Sequence, residues 1–288
     1  MVTPFAADGS LDLTAARRLA RHLAGAGSDG LVLTGTTGEG PTVTDDEKRA
    51  LWSAVREEVG TSVVLIASTG TYDTRHSVRL TRIAVECGMD GVLVVTPYYS
   101  KPPFEGILRH VELIAEEAGA LPVMLYNIPS RVVIELSAGE LSRLADIPNV
   151  VAVKQAVNDL AIAQAIVDEG KLALYAGNDD VFEPFLEIGA AGGVLVASHV
   201  VGPQMRRIFE LVDAGDHPAA RDLDRRLRPV YEAMSLTANP IPVRAAVALD
   251  GIEVGDPRLP LVPASAEIRE RLAEVLATRP ILEAAPSV

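Results

Sequence analysis

The chain has 288 residues, 48% hydrophobic and 23% charged, a globular composition that excludes a disordered tail protein. Lys+Arg 26 against Asp+Glu 39 leaves a net charge of −13, which argues against a nucleic-acid backbone or an anionic membrane as the main partner. No apolar run approaches the roughly 18 residues of a transmembrane helix. Residues 1–9, Met-Val-Thr-Pro-Phe-Ala-Ala-Asp-Gly, carry neither the basic start nor the apolar stretch of a secretory signal. With Cys87 as the single cysteine, the expectation is a cytoplasmic protein with no intrachain disulfide and no cysteine zinc cluster.

Short β-branched runs alternate with amphipathic stretches. The runs cover 30–34, 62–67, 91–96, 122–127, 150–154, 172–176 and 193–197. They are apolar on both faces, as strands of a covered parallel sheet must be. Helical periodicity covers 13–26, 45–59, 74–87, 104–118, 137–144, 159–168 and 181–188. Thr44-Asp45-Asp46-Glu47 and Ser137-Ala138-Gly139-Glu140 read as capping boxes at two of these starts. Seven strand–helix units predict an α/β fold of the (β/α)8 TIM-barrel type. The remaining strand must be the first, and only Met1-Val2-Thr3 precedes the turn at Pro4. A frayed or short first strand is therefore expected. Beyond Val200 only helices are predicted, over 203–214, 218–236, 242–249 and 264–277. The organisation reads as a barrel over 1–200 with a truncated first strand, and a helical segment over 201–288 packed on it.

In such a barrel the active site lies at the C-terminal strand ends. Those ends carry Thr34-Gly35-Thr36-Thr37-Gly38-Glu39, Thr96-Pro97-Tyr98-Tyr99, Tyr126-Asn127-Ile128-Pro129-Ser130-Arg131 and Lys154. Lysine occurs at only four positions. Lys48 reads as a polar helix face, Lys101 as a loop, and Lys171 as a residue between helix and strand. Lys154 closes the apolar run 150–153, which places an amine against apolar walls at the barrel mouth. Desolvation there disfavours the ammonium and makes a Schiff-base nucleophile. The alternative is a buried lysine paired with a carboxylate, for which Glu39 is the candidate. The 35–38 turn offers N–H groups and hydroxyls to a small carboxylate, or it is a plain glycine turn. Three of the six tyrosines, Tyr98, Tyr99 and Tyr126, fall at strand ends. A phenol there can pass a proton to a hydroxyl such as Thr36, and rim packing is the alternative, above all for Tyr98. The five histidines show no ligand spacing, so no metal is expected.

These motifs, in this order, resemble the dihydrodipicolinate synthase family of pyruvate-dependent class I aldolases. The resemblance covers nearly the whole chain and includes Gly255-Asp256-Pro257-Arg258-Leu259-Pro260. It implies a lyase of lysine and diaminopimelate biosynthesis that condenses pyruvate with L-aspartate 4-semialdehyde. Lys154 would form the imine, Tyr126 would relay protons, and Thr36 and Tyr99 would complete a hydroxyl relay. Tyr99 would reach a neighbouring subunit's site in a homotetramer built as a dimer of dimers. Thr36 and Thr37 would hold the pyruvate carboxylate, Arg131 that of the aldehyde, and Gly177 and Val194 would line the pyruvate pocket by backbone. No metal or organic cofactor is implied.

The chain departs from the family pattern at Gln155, Asn178, Val132-Val133, Ser68 and Gly40. Two other readings are a paralogous aldolase acting on a sugar acid or another 2-oxo acid aldol, and a catalytically silent ligand-binding barrel. Arg131 and Thr37 favour the synthase over the first, and the intact set of site residues argues against the second. The positions matching the lysine-feedback site of sensitive relatives are Asp45, Lys48, Tyr72 and His76. With His76 in place of a glutamate and Lys48 adding positive charge, weak or absent inhibition by lysine is expected.

Overall fold

The computed structural model describes residues 1–282. Its centre is a parallel sheet of seven strands whose spatial order follows the chain. The strands are β1 (Gly30–Leu33), β2 (Val64–Ser68), β3 (Gly91–Val95), β4 (Val123–Asn127), β5 (Val150–Gln155), β6 (Ala173–Ala176) and β7 (Gly192–Gly193). Around it lie α1 (Leu13–Gly25), α2 (Asp45–Val59), α3 (Thr74–Glu86), α4 (Phe104–Ala118), α5 (Pro129–Val132), α6 (Ala138–Leu144), α7 (Leu160–Glu169) and α8 (Phe182–Glu187). The helical segment follows as α9 (Ser198–Asp213), α10 (His217–Ala233), α11 (Ile241–Leu249) and α12 (Ala266–Ala277). Both capping boxes form: Thr44 and Ser137 accept from the backbone N–H of Glu47 and Glu140, whose carboxylates accept from the caps in return.

Two apolar layers result. A large core lies between the sheet and the helices and includes Leu33, Trp52, Leu65, Ile114 and Leu174. A smaller cluster built on Leu93, Met124, Tyr126 and Ala152, with Tyr175 and Val194 against it, fills the barrel interior. α9 to α12 contribute Met205, Leu227, Val247 and Leu276 to the large core, so the C-terminal segment shares it with the barrel. The division at 200/201 falls inside α9, at Val201, whose φ of −134° breaks the helical run.

Three elements differ from their sequence patterns. Of the run 193–197 only Gly193 pairs, because Val194–Ala197 turns away to start α9 earlier than Pro203 suggests. α5 is a single turn beginning at Pro129, too short to show a period. Met1–Thr3 is buried beside β1 without forming a strand. The Met1 nitrogen donates to the Val32 carbonyl (2.8 Å), the Val2 N–H to His199 Nε2 (3.2 Å), and the Thr3 hydroxyl to the Gly38 carbonyl (2.6 Å). Among the described residues β1 and β7 do not pair, and a cavity of about 300 Å³ bordered by Gly30, Val32, Gly193 and Met205 lies in this region.

Candidate active site

Parallel pairing sets one row of side chains across the sheet: Tyr126 of β4 opposite Lys154 of β5, and Lys154 opposite Tyr175 of β6. Alternation along a strand turns neighbouring residues to opposite faces. Tyr126 therefore belongs to the barrel interior, while Asn127 and Gln155 face the helices. Lys154 Nζ sits 4.3 Å from the centroid of the Tyr126 ring, and both side chains are buried. Among the described residues no carboxylate pairs with Lys154. The buried-ion-pair alternative is overturned: Glu39 is 3% exposed and binds Arg244 (2.9 Å) and the Arg258 N–H (2.9 Å). Burial pushes the Glu39 carboxyl up, while the Arg244 and Arg258 charges hold it down.

The turn carrying Thr36 and Thr37 is fixed from several sides. Thr34 and Glu39 both take left-handed backbone (φ 53°), and the Gly40 N–H donates to the Gly35 carbonyl (3.1 Å). A Cβ on Gly40 would collide with the Thr34 carbonyl oxygen, so this turn accepts glycine and not the larger residue of the family pattern. Thr3 holds the Gly38 carbonyl, Arg244 and Arg258 hold Glu39, and Asn239 Nδ2 donates to Thr37 Oγ1 (3.0 Å). Gly177 follows β6 with its N–H on the Gln155 carbonyl (2.8 Å), and a side chain there would collide with Ala156. The Val194 N–H donates to the Ala176 carbonyl (2.8 Å), and its side chain joins the interior cluster with Tyr126. Asp179 accepts from the N–H groups of Val196 (2.9 Å) and Ala197 (3.1 Å) and so shapes the loop after Val194. Burial pushes the Asp179 carboxyl up to about 6, against the pull of those N–H donors and the Lys154 charge.

Arg131 lies exposed on α5. Its loop is clamped by Asn127, which donates to the Leu136 carbonyl (3.0 Å), accepts from the Leu136 N–H (3.1 Å) and donates to Gln155 Oε1 (3.0 Å). Val133 closes α5 at φ 70°, a strained position for a β-branched residue. Tyr99 is not brought to the Lys154 row: it is 91% exposed, on left-handed backbone (φ 71°). Tyr98 does pack at the rim, edge-on to Tyr72 with centroids 5.3 Å apart. Among the described residues no hydrogen bond joins the hydroxyls of Thr36, Tyr99 and Tyr126, so one chain alone does not assemble the relay.

Other expectations need correction. Lys48 is not on a polar helix face. It is 5% exposed, and its Nζ donates to the carbonyls of Gly40 (2.8 Å) and Val43 (2.6 Å) behind the threonine turn. Lys171 pairs with Asp146 at the surface. His199 is buried against Val2, His110 bonds Thr74, and His76 bonds Asp45. Among the described residues no group of three His, Cys, Asp or Glu side chains is placed to hold a metal ion. Sequence reading passed over Arg244 and Asn239. Arg244 had one usable signal, a lone charge inside the apolar run Ile241–Leu249. Asn239 had none.

The dihydrodipicolinate synthetase family model matches residues 1–279. The chain belongs to this family. It is 48% identical over 280 residues to the 4-hydroxy-tetrahydrodipicolinate synthase of Synechococcus elongatus, covering 96% of this chain and 93% of that protein. Among solved structures it is similar to the lysine-bound dihydrodipicolinate synthase of Cyanidioschyzon merolae, with TM-score 0.94, 40% identity and coverage of 97% and 96% of the two chains. It is equally similar to a dihydrodipicolinate synthase of Bacillus anthracis, with TM-score 0.95, 39% identity and coverage of 98% and 97%. These likenesses fix the fold as a TIM barrel, despite the open seam between β1 and β7.

Proposed function

We propose that the chain condenses pyruvate with L-aspartate 4-semialdehyde to give 4-hydroxy-tetrahydrodipicolinate, through an imine on Lys154. Family membership and full-length similarity to named synthases support the activity and its place in lysine and diaminopimelate biosynthesis. The residue assignment rests on one observation: a buried lysine amine with no carboxylate partner among the described residues, set 4.3 Å from the Tyr126 ring at the sheet's C-terminal edge. The amine adds to the pyruvate carbonyl and water leaves, giving a protonated imine. Loss of a methyl proton gives the enamine, whose carbon attacks the aldehyde while the new alkoxide takes up a proton. The substrate's own amine then attacks the imine carbon, closes the ring and releases Lys154. Tyr126 moves protons in these steps, Thr36 and Thr37 hold the pyruvate carboxylate, and Arg131 matches the second carboxylate bidentately. This chemistry draws on the lysine amine and calls for no added cofactor. The exposed Tyr99 supports a homotetramer in which that residue crosses to a neighbouring site. A cytoplasmic location belongs to the same proposal, and no helix among the described residues is long and apolar enough to cross a membrane.

The test is borohydride trapping with pyruvate. A reduced adduct is expected on the peptide containing Lys154, and Lys154→Ala should lose orders of magnitude in rate. An adduct confined to Lys48, Lys101 or Lys171 would overturn the assignment.

We also propose that lysine inhibits weakly. Asp45, the one acidic group at the mapped positions, is already engaged by His76 (2.8 Å) and Arg79. The effector's ammonium therefore finds no free carboxylate there. Lys48 faces inward, so the argument rests on Asp45 and His76 and not on added surface charge. Initial rates should be nearly unchanged by sub-millimolar lysine, and strong inhibition there would refute this reading.

A further inference from the structure

The Asn239–Thr37 contact joins residues 202 positions apart, and the proposed chemistry leaves it unused. Asn239 stands in the loop between α10 and α11, outside the barrel, while Thr37 stands in the turn after β1. Asn239 Nδ2 donates to Thr37 Oγ1 at 3.0 Å, and Asn239 Oδ1 is buried without a partner. Thr37 Oγ1 donates to no acceptor among the described residues. A threonine hydroxyl has one proton and two lone pairs. With one lone pair taken by the amide, the proton must point away from Asn239. Arg244, Arg258 and Thr3 fix the position of the surrounding turn through Glu39 and Gly38. Among the described residues only Asn239 acts on the Thr37 hydroxyl itself.

We propose that Asn239 is a positioning residue of the 2-oxo acid site: its amide N–H fixes Thr37 Oγ1 as an acceptor on the protein side and so turns the Thr37 proton toward the substrate carboxylate. This rests on the reading that the Thr36–Thr37 turn holds that carboxylate. The polarity is what matters. A hydrogen bond to a charged acceptor is the stronger kind, and a hydroxyl whose proton is spent on the protein cannot supply it. The C-terminal helical segment thereby takes part in substrate binding without touching the substrate.

Asn239→Asp keeps the size of the side chain and replaces the donor with an acceptor. The carboxylate would capture the Thr37 proton. Asn239→Leu removes both donor and acceptor. The readout is the pyruvate concentration that half-saturates borohydride-trapped imine, which needs no aldehyde. Asn239→Asp should raise it roughly ten- to a hundredfold, and Asn239→Leu about three- to tenfold. The apparent KM for the aldehyde should change by less than about twofold, and Thr37→Val should abolish most of the Asn239→Leu effect, since the two residues act as one unit. Wild-type half-saturation in Asn239→Asp would overturn the proposal, because it would mean that the amide sits the other way round, with Oδ1 already taking the Thr37 proton. A full Asn239→Leu effect in the Thr37→Val background would also overturn it, as a packing effect. If Thr37→Val alone leaves pyruvate half-saturation unchanged, the carboxylate-holding role of the turn fails, and this proposal falls with it.

Discussion

Strands β4 and β5 are paired from Val123↔Val150 to Asn127↔Gln155, and beyond the backbone they are locked by the Asn127–Gln155 side-chain bond. Strands β1 and β7 face each other across the opposite seam without a shared ladder, bridged by Met1–Thr3 and bordered by a cavity. The Lys154–Tyr126 pair sits on the zipped seam. An imine chemistry needs its amine and its phenol held to fractions of an ångström, and two adjacent strands in continuous register from Met124↔Ala152 to Asn127↔Gln155 supply that. The turn after β1, at the open seam, is held instead by the side chains of Thr3, Arg244, Arg258 and Asn239. A barrel can therefore tolerate an open seam, provided the seam is not the one that bears the nucleophile.

Breaking the zipped seam should have the largest effect. Asn127→Leu would strand three buried groups at once: the Leu136 N–H, the Leu136 carbonyl and Gln155 Oε1. Leaving a buried polar group unpaired costs about 1–3 kcal/mol, so a loss of about 4 kcal/mol is expected in urea denaturation. Because Leu136 ends the loop that carries Arg131, the apparent KM for the aldehyde should rise more than that for pyruvate. Equal changes in both would show that the clamp does not act through that loop.

The two seams also differ in how far they can be read from sequence. Lys154 announces itself as a lone amine closing an apolar run, and the register that brings it to Tyr126 follows from two strands ending at the same level. The run at 193–197 misleads. Its residues have strand composition, but Asp179, close in space and distant in the pattern, takes the Val196 and Ala197 N–H groups and starts a helix. Asn239 and Arg244 act on the threonine turn across separations of 202 and 205 residues, and no local period encodes such a contact. Tyr99 is legible as a strand-end phenol, yet its exposure within one chain is not.

Filling the open seam should sharpen the comparison from the other side. A five-residue β-branched extension placed ahead of Met1 can pair with the free edges of β1 and β7 and enter the cavity. Stability should rise by about 2 kcal/mol, or roughly 4 °C in Tm. Trapped imine formation at Lys154 should not change, because the zipped seam is untouched. An unchanged Tm would show that Met1–Thr3 suffices to close the barrel.

The smallest expected effect concerns His199, which is hydrogen-bonded to Val2 of the Met1–Thr3 segment. Its Nε2 accepts the Val2 N–H, and its Nδ1 meets the Val196 carbonyl (2.8 Å). Nδ1 must carry the proton and Nε2 the lone pair, so the ring is neutral in the folded chain. Burial is the main reason its pKa falls to about 3, with the neighbouring chain-terminal amine adding to the shift. In the unfolded chain the same ring takes a proton near its ordinary value of about 6.5. The unfolded state therefore binds more protons between those values, and stability is lost as pH falls through that window. The loss per proton is about 1.4 kcal/mol for each pH unit below roughly 6.5. Asp179 has a raised pKa and works in the opposite direction, since its folded carboxyl takes up a proton before the unfolded one does. The informative quantity is thus a difference between two proteins. His199→Asn keeps an acceptor for the Val2 N–H and removes the titration. Urea denaturation at pH 7, 6 and 5 should find the wild type losing ground to His199→Asn by about 1.4 kcal/mol between the last two points. Parallel stability curves for the two proteins would show that the ring is already accessible to protons in the native state, and hence that Met1–Thr3 does not seal the seam.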